Sequence, residues 1–192
     1  MRIGNYKVTS LVTSRFSLDG GSMFGIIPKS MWEKNFAPDD DNRIPLVTRS
    51  LLIRGNGKII LVDTGNGDKW DSKMKAILDT DPSLVNIQAS LGELSVKPDE
   101  ITDVICSHLH FDHAGGNTIL DGGKVVPTFP NAKYWLQKSN WDWAKNYITI
   151  WVLLSSRPSP VIYQVEIGKV VEKADLKACT PKVCPQLGFK RD

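Results

Sequence analysis

With 192 residues, the chain is long enough to bury the core of one domain, and 41% hydrophobic with 23% charged residues is ordinary for a soluble globular protein. Its net charge of +3 is confined to the end: residues 1–146 carry 17 Lys+Arg against 17 Asp+Glu, and residues 147–192 carry 7 against 4. The balanced body argues against a nucleic-acid partner. The absence of a 20-residue apolar run or a secretory h-region argues against a membrane partner, and three cysteines form no disulfide framework, so a cytoplasmic protein is expected.

Tyr6 to Thr13 alternates and is rich in β-branched residues, which predicts a first strand. Leu18-Asp19-Gly20-Gly21-Ser22 reads as a turn, and Met23 and Phe24 after it either join the core or wall an apolar pocket. Pro28 to Asn42 reads as a short helix or loop, with Trp32 and Phe36 at helical spacing and a solvated acidic turn at Asp39-Asp40-Asp41. Leu46–Arg54 and Lys58–Asp63 are two strands around Gly55-Asn56-Gly57, and Asn-Gly between apolar runs signals a type I′ hairpin. Asp68 to Leu78 is patterned as an amphipathic helix, and a second helix runs through Leu84, Ile87 and Leu91 to Leu94. Asp103 to Cys106 is a short strand, Leu120 to Pro127 a turn and strand, and Ala132 to Leu136 another strand. Gln137 to Asn146 is expected to be a helix with Trp141 and Ala144 inward.

The chemistry concentrates in Ser107-His108-Leu109-His110-Phe111-Asp112-His113-Ala114-Gly115-Gly116, which holds all three histidines of the chain. Neutral imidazole is a favoured transition-metal ligand, and this nitrogen and oxygen set suits Zn²⁺, Fe or Mn²⁺. Alternate side chains share a face, so His108 and His110 can point at one ion while Asp112 and His113 point at a second. Ala114-Gly115-Gly116 is read as a tight turn closing the loop. A solvated polar loop that binds nothing is the competing interpretation. Strands, intervening helices and a ligand loop at a strand's C-terminal end fit an α/β sandwich.

The run from Ser107 to Asn117, with Leu61-Val62-Asp63-Thr64-Gly65, resembles the metallo-β-lactamase superfamily, in particular its dinuclear hydrolase branch of N-acyl-homoserine lactonases and phosphotriester hydrolases. The resemblance implies an α/β fold of the αββα sandwich type with only the N-terminal half complete, and two Zn²⁺ ions held in part by His108, His110, Asp112 and His113. It also implies hydrolysis of a lactone, ester or phosphotriester in a small-molecule substrate by metal-activated hydroxide, with Asp112 moving a proton. Asp63 would sit beneath the metals and orient a ligand, since a metal-bound histidine usually donates its other N–H to a carboxylate or carbonyl. The alternative is an Asp that organises only its own turn.

The resemblance ends near residue 146, and two domains are expected: 1–146, the metallo-β-lactamase-like part, and 147–192, an atypical tail of the kind a frameshift or truncated gene would add. The branch uses further histidine ligands, yet no histidine follows His113. Asp175 and Asp192 earn no assignment, and Cys179 and Cys184 match no standard zinc spacing. Two further interpretations therefore stand beside the hydrolase: an inactive fragment or interaction module with an incomplete site, and a nucleic-acid-processing member. An uncovered sheet face would offer a surface for oligomerisation.

Overall fold

The computed structural model describes residues 1–138, 140–141 and 177–178. The expected strand pair within 161–171, Ala144, and the boundary at 146/147 lie outside them. Among the described residues, nine strands form a seven-stranded mixed sheet in the order β1-β2-β3-β4-β5-β8-β9 and a separate hairpin of β6 and β7. β1 (Arg2–Ile3), β2 (Tyr6–Asp19), β3 (Arg43–Gly55) and β4 (Lys58–Val62) are consecutive antiparallel neighbours. β5 (Asp103–Cys106), β8 (Lys133–Leu136) and β9 (Lys177–Ala178) then add in parallel.

The β3–β4 turn forms as the Asn-Gly pair requires, with φ of 50° at Asn56 and 73° at Gly57. β2 runs six residues past the expected Thr13, because an irregularity between Val12 and Ser14 shifts the register and lets pairing with β3 continue to Asp19. Asp19 then caps a short helix α1 (Gly20–Phe24) by accepting from the Ser22 N–H, where a plain turn was expected. α2 (Lys29–Trp32) follows, and Phe24 stacks on Trp32 at 5.0 Å. Phe24 thus belongs to a small aromatic cluster, while Met23 stays exposed rather than joining the core.

The expected helix over 68–78 shortens to α3 (Ser72–Ile77). Asp71 caps it by accepting from Met74 N–H, and the preceding Lys69 and Trp70 are buried beneath the histidine loop instead. α4 (Ile87–Glu93) begins at its own cap, Asn86, and ends near the expected Leu94. β6 (Thr118–Asp121) and β7 (Lys124–Pro127) complete a hairpin where one strand was expected. Lys138, Asn140 and Trp141 are helical, at the start of the helix expected from 137.

Cross-strand register explains the core. Leu52, Leu61, Val104 and Tyr134 are successive partners across β3, β4, β5 and β8, all almost fully buried. Ile87 and Leu91 of α4 pack in the same cluster, so the helix covers this face. On the opposite face of β3, Val47 is 39% and Leu51 41% exposed. Leu52→Ala should therefore lower stability by about 2–5 kcal/mol through lost contacts and the cavity left behind, whereas Leu51→Ala should change it little; thermal denaturation of both variants checks the pair. No helix among the described residues is long and apolar enough to cross a membrane.

Candidate metal centre

β4 and β5 run parallel side by side, so Asp63 and Ser107 emerge together at their C-terminal ends. That is the edge where open α/β sheets place their binding sites. Asp63 takes a left-handed backbone, φ 57°, which is uncommon for a residue other than glycine and recurs at functional sites. This conformation turns its carboxylate toward the next strand's loop. Oδ1 accepts from the Ser107 N–H at 2.7 Å, and Oδ2 accepts from the Ser107 hydroxyl at 2.7 Å. Oδ2 also lies 2.9 Å from His113 Nδ1. Asp63 therefore holds the histidine loop, as the orienting interpretation expects, and does more than organise its own turn.

The two loops also run together through their backbones. The Thr64 N–H donates to the His113 carbonyl at 2.7 Å and the Gly116 N–H to the Gly65 carbonyl at 3.0 Å. A Cβ at Gly115 would collide with the Asn66 carbonyl, and one at Gly116 with the Thr64 carbonyl. These glycines are thus needed for close approach of two backbones; neither has the positive φ that a tight-turn role would suggest.

Three supports are not singled out by the sequence. Lys69 is 9% exposed, and its Nζ donates to the carbonyls of Gly115 and Thr118 at 2.7 and 2.6 Å, tying down the segment after the histidines. Phe111 stands edge-on to Trp70 at 5.5 Å and Phe16 at 6.0 Å, anchoring the short helix α5 (Phe111–Ala114). Asn117 is buried, accepts from the Thr64 hydroxyl and donates to Cys106 Sγ. A polar residue inside a glycine-rich run was the only hint of the last. Burial pushes the Cys106 thiol up to about 12, so at neutral pH it is a packing group rather than a thiolate ligand.

The structure gathers the four expected ligands in one place. The His108 ring lies 4.7 Å from that of His110 and 4.0 Å from that of His113. Asp112 Oδ2 is 3.4 Å from His113 Nε2. Burial, followed by the His113 and His110 rings, pushes His108 below the ordinary histidine value despite the pull of Asp112 and Asp63, favouring the neutral imidazole that metals bind. The chemistry of this donor set fits a transition metal. Among the described residues, however, no three His, Cys, Asp or Glu side chains are arranged to hold one ion.

The mixed sheet thus carries, at the C-terminal ends of its parallel strands β4 and β5, a clamped loop of the pattern His-x-His-x-Asp-His. The family model of the metallo-beta-lactamase superfamily matches residues 43–175. The chain belongs to that superfamily, and the match runs past residue 146.

Over 79 residues, 35% of this chain, it is 37% identical to an N-acyl homoserine lactonase of Bacillus thuringiensis, and the match covers 30% of that protein. A "probable metal-dependent hydrolase" from Staphylococcus aureus superposes with a TM-score of 0.67 at 31% identity, over 76% of this chain and 52% of that one. AidC, a dizinc quorum-quenching lactonase solved with a product, gives 0.68 at 23% identity over 94% and 60%; at that identity the likeness speaks for the fold. The chain thus spans about a third of the lactonase relative and little more than half of the solved structures.

Proposed function

We propose that this chain carries the metal-binding half of a hydrolase that opens lactone, ester or phosphotriester bonds in small molecules, with zinc as the metal and the cytoplasm as its compartment. One observation supports this above the rest: Asp63 grips the loop of His108, His110, Asp112 and His113 at the end of two parallel strands. A loop that bound nothing would have no need of so many restraints on its imidazoles. His108 and His110 would hold one ion, and Asp112 with His113 a second. Bound there, a metal would supply a hydroxide nucleophile near neutral pH, because it lowers the pKa of its water to about 7, and would polarise the substrate oxygen.

The protein's own part is positional. Asp63 and Ser107 fix the imidazoles, Phe111 and Lys69 fix the loop, and Asp112 stands half-buried beside His113 where it can take a proton from the reacting group.

A second reading, an inactive fragment of the same fold, is favoured by the sequence, in which no histidine follows His113 to complete the ligand set. Elemental analysis of the full chain, loaded with zinc and dialysed, separates the two. The hydrolase reading expects bound zinc and chelator-sensitive opening of an N-acyl homoserine lactone or an aryl ester. A chain that retains no zinc and hydrolyses neither substrate is the inactive fragment.

A further inference from the structure

We propose that Ser107 is a positioning residue that relays the control of Asp63 to a second histidine, so that one carboxylate sets the tautomers of ligands in both halves of the site. The argument is a proton count. A carboxylate only accepts, a hydroxyl has one proton to give, and a neutral imidazole has one N–H and one lone pair. Ser107 Oγ lies 2.7 Å from Asp63 Oδ2, so its single proton is committed there. The same Oγ lies 3.0 Å from His108 Nδ1 and has only lone pairs left to offer. His108 Nδ1 must therefore carry the proton. His113 Nδ1, 2.9 Å from Asp63 Oδ2, must carry its own for the same reason.

In its neutral form each ring then has its lone pair on Nε2, where that nitrogen can bind a metal; His113 Nε2 faces Asp112 Oδ2 at 3.4 Å, the carboxylate proposed to share its ion. The relay extends the reach of Asp63. Its carboxylate touches His113 directly, but of the contacts around His108 it is the Ser107 hydroxyl that meets Nδ1. The Ser107 hydroxyl also lies 3.4 Å from His113 Nδ1, but that nitrogen has the nearer Asp63 Oδ2 at 2.9 Å, so loss of the hydroxyl unsettles His108 most and loss of the carboxylate unsettles both rings. Ser107 also keeps its place by backbone: its N–H donates to Asp63 Oδ1, and its carbonyl accepts from Asn140 Nδ2 at 3.0 Å. A change confined to its hydroxyl therefore leaves the loop attached.

The inference rests on the metal reading for its purpose, but proton positions are measurable without metal. The full chain, labelled with ¹⁵N-histidine and freed of metal by chelator, gives three ring patterns in a long-range ¹H–¹⁵N correlation, since it has three histidines. His110→Gln removes one and leaves the two of interest. The expected spectrum has both remaining rings protonated at Nδ1. Ser107→Ala should lose that pattern at His108 while His113, still held by Asp63 Oδ2, keeps it; Asp63→Asn should disturb both rings, and Ser107→Thr, which keeps a hydroxyl, should keep the His108 pattern.

A His108 ring protonated at Nε2 in the unmodified chain overturns the proposal and needs no variant to fold. So does a His108 pattern that Ser107→Ala leaves unchanged. If the tautomers are as stated but zinc added to the unmodified chain moves neither Nε2 resonance, the relay stands and the metal reading falls.

Discussion

Asp63→Ala is expected to weaken zinc binding by about 10–100-fold, the usual cost of removing a partner that orients a metal ligand. The substitution deletes the acceptors of the Ser107 N–H, the Ser107 hydroxyl and His113 Nδ1 in one step. It also leaves a non-glycine residue at φ 57°. Asp63→Gly removes the same acceptors while relaxing that backbone. Competition against a chromophoric chelator should show both variants weakened alike if the carboxylate matters, with the glycine variant the more stable of the two. Zinc affinity at the unmodified level in Asp63→Gly would mean that the carboxylate does nothing for the metal.

The second large effect concerns the seam between the two loops. Gly115→Ala places a methyl group against the Asn66 carbonyl, and both sides of that collision are backbone, so no side-chain rotation relieves it. A loss of about 1–3 kcal/mol is expected for overpacking of this kind. For a chain of this length each kcal/mol shifts the melting temperature by about 2–4 °C. Gly92→Ala in α4 is the opposite-sign control: a Cβ there meets nothing, and alanine favours a helix interior over glycine by about 1 kcal/mol. Should Gly115→Ala melt with the unmodified chain, the two loops would not be in the contact described. Zinc affinity should fall with stability in this variant, because the seam carries His113 through the Thr64 N–H bond to its carbonyl.

Much of the route to this site was legible in residue order. The Asn-Gly turn, the apolar runs of β3 and β4 and the short β-branched strand ending at Ser107 are local patterns, and each formed where its local physics put it. The departures have local causes too. A register shift extended β2, and caps at Asp19, Asp71 and Asn86 set helix starts that hydrophobic spacing alone does not fix.

The sequence by itself determined that the imidazoles share one loop and that this loop leaves the sheet at the C-terminal end of the strand Asp103–Cys106. It also determined that only three imidazoles are available. What holds them was decided by tertiary structure alone. Lys69 precedes Gly115 by 46 residues, and Asp63 precedes Ser107 by 44, and no local period connects such pairs. They meet because β4 and β5 pair in parallel, which brings the ends of two distant segments to the same edge of the sheet. The same pairing turned Gly115 and Gly116 from expected turn residues into the contact surface of two loops, and left Ser107 between a carboxylate and two histidines.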